Sequence, residues 1–368
     1  MQCADFESGR CRSCSELARP YAEQLQRKSA QARERLAGIE NWLPAVRSPE
    51  AGFRNKAKMA VGGSIDAPFL GLVLPGRPAV DLRNCPLYPE TMAKTLALAG
   101  QWLKAAQVPP YDLATRRGEA KFVLLTQAPG SGEHMLRFVL RSREALQRIA
   151  KLWPEWQQQQ AALKVVSINL LPEHRAVTEG EVEIVLTPSS AIRCELNGHT
   201  LWLPPQAFFQ TNSTVAAALY RTAAEWLGDQ VGRIWDLYCG IGAFARHLER
   251  ADREIVGIES SASAIEAANR AGSAIRFLAG DVATFVATES TPDAAIVNPP
   301  RAGLARELRE WLIAKGPQTL LYSSCNPDTL ARDLKALDCY RPTKAQLFDM
   351  FPHTEHAEIL VLLKRRAQ

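Results

Sequence analysis

The chain has 368 residues, 46% hydrophobic and 23% charged, with a formal net charge of +5. That is enough chain for two or three domains with a sizeable core, and the composition excludes a disordered or low-complexity protein. The mild basic excess is compatible with nucleic acid without pointing to it, and no apolar run reaches the ~18 residues of a membrane span.

The first residues, Met1-Gln2-Cys3-Ala4-Asp5-Phe6-Glu7, carry neither a basic nor an apolar export region. Eight cysteines without an export signal point to the reducing cytoplasm, where thiols serve as ligands or nucleophiles more often than in disulfides. Cys3, Cys11, Cys14 and Cys85 form a C-x7-C-x2-C…C set. Four thiolates suit zinc or an iron–sulfur cluster, and the set lacks the paired C-x2-C knuckles of a zinc ribbon.

Residues 15–40 are rich in Ala, Gln, Glu and Arg with no breaker after Pro20, which predicts a helix. From about 52 to 195 the pattern is β-like. Lys121–Gln127 and Met135–Ser142 read as strands joined by the hairpin signal Ala128-Pro129-Gly130-Ser131-Gly132, and Lys164–Leu171 and Glu181–Leu186 as further strands. Helical runs at 91–107 and 144–162 lie between them.

Beyond about 205, helices and strands alternate. Ser213–Leu227 reads as a helix, and Arg233–Leu237, Glu254–Ile258, Ala294–Val297 and Thr319–Ser323 as short buried strands. Two more strand-like runs occupy Lys344–Leu363, around Phe351-Pro352-His353-Thr354-Glu355-His356. This alternation argues for a doubly wound α/β domain. The expected architecture is therefore α/β. An N-terminal cysteine segment (1–90) interleaves with a central α+β region (52–200), and a Rossmann-like domain follows (205–368).

Two segments of that last domain carry chemistry. Asp236-Leu237-Tyr238-Cys239-Gly240-Ile241-Gly242 follows a strand, and Glu259 closes the next one. Glycines let the backbone approach a ligand, and the acidic residue suits a ribose. Gly240, Gly242 and Ala245 also fit a dinucleotide fingerprint. The strand end Val297-Asn298-Pro299-Pro300-Arg301 instead resembles the fourth motif of S-adenosylmethionine-dependent methyltransferases, in which Asp281 takes the adenine position. Cys325, at the rim of another strand, is either a buried apolar thiol or a nucleophile. Glu358, in an otherwise apolar run, is either a surface carboxylate or a base of raised pKa. Cys194, Cys239 and Cys339 read as apolar core thiols.

Taken together, five stretches resemble the RNA uracil-C5 methyltransferase family. They are Phe208-Phe209-Gln210-Thr211-Asn212, Asp236-Leu237-Tyr238-Cys239-Gly240, Asn298-Pro299-Pro300-Arg301, Ser324-Cys325-Asn326-Pro327 and Phe351-Pro352-His353-Thr354…Glu358. The N-terminal cysteines and Gly52-Phe53-Arg54-Asn55-Lys56-Ala57-Lys58 extend the likeness to the front. The start at Met1-Gln2-Cys3-Ala4 and the lack of an extra N-terminal barrel resemble the branch acting on uridine 747 of 23S ribosomal RNA.

The resemblance implies S-adenosylmethionine as methyl donor, Cys325 as nucleophile at uracil C6 and Glu358 as base. It implies Gln210, Tyr238, Gly240, Glu259, Asp281 and Asn298 at the donor, with Asn298 also facing the substrate base. It makes the cysteine set the ligands of a [4Fe–4S] cluster. It implies 23S ribosomal RNA as partner, a flipped target base, and neither a membrane nor a protein partner. Arg54, Lys56, Lys58, Arg116, Arg117, Lys121 and Arg137 are candidates for phosphates, and Phe53 and Phe122 for stacking. Competing readings are another rRNA or tRNA uridine, an amine methyltransferase, and a non-catalytic iron–sulfur RNA-binding protein. The amine enzyme usually has an aromatic residue where Arg301 stands.

Overall fold

A computed structural model describes residues 1–73, 79–229 and 232–367. The chain forms two compact units. One comprises Met1–Cys14, Glu50–Glu195 and Leu203–Gln206, the other Ser15–Pro49, Leu196–Trp202 and Ala207–Gln368. The sequence boundaries therefore need correction. Residues 15–49 do not belong with the cysteines of the expected 1–90 segment but with the C-terminal unit.

The elements begin with α1 (Ala4–Glu7) in the first unit and α2 (Tyr21–Arg35) in the second. The first unit continues with β1 (Lys56–Gly63), β2 (Pro68–Leu72), β3 (Val80–Asp81), α3 (Glu90–Ala105), β4 (Ala120–Gln127), β5 (His134–Leu140), α4 (Leu146–Gln159), β6 (Leu163–Leu170) and β7 (Val182–Val185). Its sheet runs β3-β2-β1-β4-β5-β6-β7, antiparallel except for β5–β6. In α3, Met92, Leu96, Ala99 and Leu103 recur at helical spacing and are fully buried. They share a core with Trp102, whose ring stacks on Trp156 at 5.6 Å. The expected hairpin is present as β4–β5.

β8 (Ile192–Leu196) and β9 (His199–Leu203) pair with each other as a separate ribbon. The second unit continues with α5 (Ser213–Leu227), β10 (Arg233–Leu237), α6 (Ala243–Leu248), β11 (Glu254–Glu259), α7 (Ala262–Arg270), β12 (Arg276–Ala279), α8 (Val282–Thr288), β13 (Ala294–Val297), α9 (Arg306–Lys315), β14 (Thr319–Ser324), α10 (Pro327–Ala336), β15 (Tyr340–Phe348) and β16 (Glu358–Arg365).

Its sheet runs β12-β11-β10-β13-β14-β16-β15; the first five strands are parallel, and β16 pairs antiparallel with both β14 and β15. Chain order reverses between β10 and β13, so a ligand crevice is expected beyond the carboxyl ends of these strands. β10, β13 and β14 are buried on both faces, as the middle of a sheet covered by helices requires. This is the doubly wound domain expected from the sequence.

Helix α2 is anchored in this unit by a buried ion pair. Lys28 Nζ lies 2.6 Å from Asp349 Oδ1, and Tyr21 donates to Asp349 Oδ2 at 2.7 Å. Lys28 also donates to the Phe351 carbonyl, and the Gln24 amide holds the His353 N–H. A buried charge is tolerated only when paired and hydrogen-bonded, so α2 is fixed against the segment that leads into β16. The helix is shorter than the 15–40 run, beginning after Pro20 and ending at Arg35, with Leu36 as its cap. Among the described residues no helix is long and apolar enough to cross a membrane.

Candidate active site

Six expected site residues stand where β10 to β14 end. Tyr238 and Gly240 follow β10, Glu259 closes β11, and Asp281 follows β12. Asn298 follows β13 and Cys325 follows β14. Topology therefore gathers these six, spread over almost ninety residues of sequence, on one edge of one sheet.

The β10 loop is shaped by backbone constraints. Tyr238 is left-handed at φ +66°, as are Gly240 at +55° and Gly242 at +80°. A Cβ on Gly242 would come within 2.5 Å of the Phe277 ring, so packing alone requires glycine there. A Cβ on Gly240 would meet nothing within 4 Å, so its backbone faces open space. The Gly240 N–H donates to Glu259 Oε2 at 3.2 Å, while Oε1 accepts from Ser260 and Ser261. The carboxylate that suits a ribose is thus tied to the glycine loop. Asp236 is wholly buried and caps the Ala245 N–H, and burial pushes its carboxyl up to about 7. Its Oδ1 is buried without a partner among the described residues.

Asp281 caps α8 through the Thr284 N–H and hydroxyl. Gln210 is buried, and Asn212 two residues on caps α5 and donates to Ser48 Oγ at 2.7 Å. Phe208 in the same motif is 69% exposed.

Cys325 opens onto a cavity of ≈ 250 Å³ whose walls include Lys28 and Arg35 of α2, Arg301, Asn326, Ala357 and Ile359. The run after it is structural. Asn326 caps α10 by accepting from the Asp328 and Thr329 N–H groups, Pro327 fills the first helical position, and Asn326 Nδ2 holds the Arg301 carbonyl at 3.1 Å. Burial raises the Cys325 thiol pKa, the Glu358 carboxylate adds to this, and the Arg301 guanidinium, hydrogen-bonded to the thiol, opposes both. The helix N-terminus also favours a thiolate.

Glu358 is 2% exposed. Ser323 donates to its Oε1 at 2.5 Å, and Asn298 Nδ2 lies 3.4 Å from the same oxygen. Burial pushes this carboxyl up to about 7 despite both donors. Of the two sequence alternatives for Glu358, the surface carboxylate is excluded, because the side chain is buried.

The chain is 42% identical, over its whole length and theirs, to the 23S rRNA (uracil(747)-C(5))-methyltransferases RlmC of Escherichia coli strain 55989 and of Shigella sonnei. The family model described as tRNA (uracil-5-)-methyltransferase matches residues 284–366. The chain belongs to the RNA uracil-C5 methyltransferase family. This family member also resembles the crystal structure of Pyrococcus abyssi tRNA (uracil-54, C5)-methyltransferase in complex with S-adenosyl-L-homocysteine. The TM-score is 0.79 at 26% identity, over 95% of this chain and 85% of that one.

In this uracil-C5 methyltransferase family member the four N-terminal cysteines all lie in the first unit, unpaired. Cys14 is pushed up to about 11 by burial, then by Cys85, Cys11 and Cys3, and Cys85 is raised by burial and by Cys3 and Cys11. The four thiols are thus close enough to sense one another. Among the described residues, however, no group of three or more His, Cys, Asp or Glu closes to the spacing that holds a metal ion.

Several expected RNA contacts need correction. Arg137 is buried between Glu179 and Glu183, Lys58 pairs with Glu179 at 2.6 Å, and Lys121 donates to the Glu173 carbonyl. Phe53 is buried, so it cannot stack a base in this conformation. Arg116 and Arg117 remain exposed. Of the three cysteines expected in the core, Cys194 and Cys239 are buried and Cys339 only partly so. The sequence reading gave no role to Ser323, to Arg301 beside the thiol, or to the wall that α2 supplies. Only strand register and tertiary packing bring these to Cys325.

Proposed function

We propose that this chain methylates C5 of a uridine in 23S ribosomal RNA, uridine 747, with Cys325 as nucleophile and Glu358 as base. The observation that carries this reading is the pairing of a cavity-facing thiol with a buried, hydrogen-bonded carboxyl at the ligand edge of one sheet. Full-length similarity to the 23S rRNA enzymes supports the target.

The Cys325 thiolate adds to C6, forming a C–S bond and moving the ring π electrons to C5 as an enolate. Arg301 favours the thiolate against burial. S-adenosylmethionine, when bound, would supply the methyl group that C5 takes up, its methyl–sulfur bond breaking to leave S-adenosylhomocysteine. Gln210, Tyr238, Gly240, Glu259, Asp281 and Asn298 would hold that donor. The Gly240 backbone with open space before it, the adjoining Glu259 carboxylate and the orphaned Asp236 Oδ1 suit a polar ligand there. Glu358 then takes the C5 proton, the C5=C6 bond reforms, and Cys325 leaves as thiolate.

The test is nucleoside mass spectrometry of protein-free 23S rRNA treated with the chain and S-adenosylmethionine. The expected result is one added methyl, on uridine 747. Methylation of another rRNA uridine or of a tRNA, as the names of the family model and the archaeal enzyme suggest, would keep the chemistry and move the target. No methylated uracil would favour the non-catalytic reading.

Cys3, Cys11, Cys14 and Cys85 would together hold a [4Fe–4S] cluster. Four free thiols in one unit are the donor set that such a cluster takes. No step above needs an electron, so its place is structural. Protein purified without oxygen is expected to carry iron and acid-labile sulfide in equal amounts and to lose both in Cys14→Ala. Zinc, or no metal, in the wild type would refute this.

A further inference from the structure

We propose that Ser323 is a positioning residue for the base of this reaction: it fixes Oε1 of Glu358, so that Oε2 is the oxygen that takes the C5 proton. The proposal rests on Glu358 being the base and adds to that reading a residue and a proton site.

The geometry comes from strand register. In the antiparallel pair β14–β16, Ser323 lies opposite Leu360 and Ser324 opposite Ile359. Ser323 and Glu358 are therefore diagonal neighbours on one face, a separation that side chains can span. Ser323 is fully buried, and its hydroxyl donates to Glu358 Oε1 at 2.5 Å. Asn298 Nδ2 donates to the Ser323 oxygen at 3.1 Å. That donor occupies the hydroxyl oxygen from behind and leaves the hydroxyl proton to point at the carboxylate. Oε1 thus accepts from Ser323 and more distantly from Asn298, whereas Oε2 has no hydrogen bond among the described residues and is not sealed off. One oxygen is held, and the other is left for the substrate.

The surroundings make this hydroxyl the main influence opposing burial at the carboxyl. The Cys325 thiol, on the loop after β14, is the titratable group coupled to Glu358. β15 places Phe348 opposite it. Helix α5, also packed on β16, carries Tyr220, Arg221 and Glu225, none of which perturbs it. Asp349, in the segment before β16, is neutralised by Lys28. Glu355 and His356, nearer in that segment, do not perturb it either. Burial raises the carboxyl, and Ser323 is the first of the two groups that oppose it.

The sign follows. A hydrogen bond to the charged form lowers a carboxyl pKa, so its loss raises that pKa. A base must be ionised to act, so the acid limb of the proton-removal step moves to higher pH.

The experiment uses the full chain and a 23S rRNA transcript carrying [5-³H]uridine, following tritium release and methyl incorporation in single turnovers across pH. For Ser323→Ala the midpoint of tritium release is expected to rise by about one pH unit, with roughly fivefold slower release at pH 7 and roughly tenfold slower release well below it. Methyl incorporation should slow less, so covalent RNA–protein adduct should accumulate. Ser323→Thr, which keeps the hydroxyl, is expected to restore the wild-type midpoint and serves as the folded control. An unchanged midpoint with a lower plateau, or equal slowing of both readouts, would overturn the proposal. Methylation absent from the wild type would overturn the underlying reading as well, and is told apart by the wild-type arm alone.

Discussion

Cys325→Ala is expected to lower uridine methylation by roughly 10⁴-fold or more, the scale of losing a nucleophile from a covalent mechanism. The reason lies in the substrate. C5 of uracil is a poor nucleophile until something adds at C6, and Cys325 is the thiol that opens onto the cavity. Cys239, seven per cent exposed beneath the glycine loop, has no such access. S-adenosylmethionine binding should survive, because the residues that would hold the donor lie on other strands and on the segment before α5. Calorimetry with S-adenosylmethionine therefore separates a lost nucleophile from a lost fold. Cys325 also sets a pH dependence. Its pKa is raised by burial and by Glu358, so the thiolate fraction, and with it adduct formation, should climb as pH rises through neutrality. Adduct formation by Cys325→Ala would show that another residue attacks C6.

The fold was legible where burial dictates composition. Ser213–Leu227, Arg233–Leu237 and Ala294–Val297 have the same bounds in sequence and structure. The helix places Val215, Leu219, Ala223 and Trp226 on one buried face, and the two strands are short apolar runs between breakers. β1 and β2 were not resolved as separate strands, because Gly62, Gly63 and Gly71 dilute their alternation. β12 escaped for another reason: at four residues, Arg276–Ala279 is too short to show a period.

The site was legible as a set of residues but not as a circuit. Cys325, Glu358 and Asn298 came from motif resemblance, and their chemistry followed from residue type. That Ser323 bridges Asn298 and Glu358 depends on the register of β14 against β16. That α2 walls the cavity depends on Lys28 finding Asp349, 321 residues away. Basic residues were the least legible, since net charge does not say which cations already have carboxylates. Arg137 and Lys58 do.

Glu358→Gln is expected to stop the reaction after methyl transfer rather than before it. Glutamine keeps the size of the side chain and can still accept the Ser323 hydroxyl proton, but it cannot take a proton from C5. The thiolate still adds and C5 still receives its methyl group, and the ring then stays bonded to Cys325. Steady-state turnover should fall by roughly 10²–10⁴-fold, the range for removing a general base. One equivalent of methylated RNA should remain attached to the protein through denaturing electrophoresis. The double variant Cys325→Ala, Glu358→Gln should give no such band, which assigns the bond to Cys325. In the wild type burial pushes the Glu358 carboxyl up to about 7, so below neutrality Glu358 becomes protonated and proton removal should slow, while a smaller thiolate fraction also slows addition. Acidic wild-type reactions should therefore mimic the glutamine variant in part: less adduct forms, but a larger share of it stays unresolved, and that share should shrink as pH is raised. A glutamine variant that turns over normally, or one that forms neither adduct nor product while still binding S-adenosylmethionine, would remove Glu358 from the proton step. The base would then have to be sought among the groups that line the cavity beside Cys325, of which Glu355 and His356 are the titratable ones nearest to Glu358 in sequence.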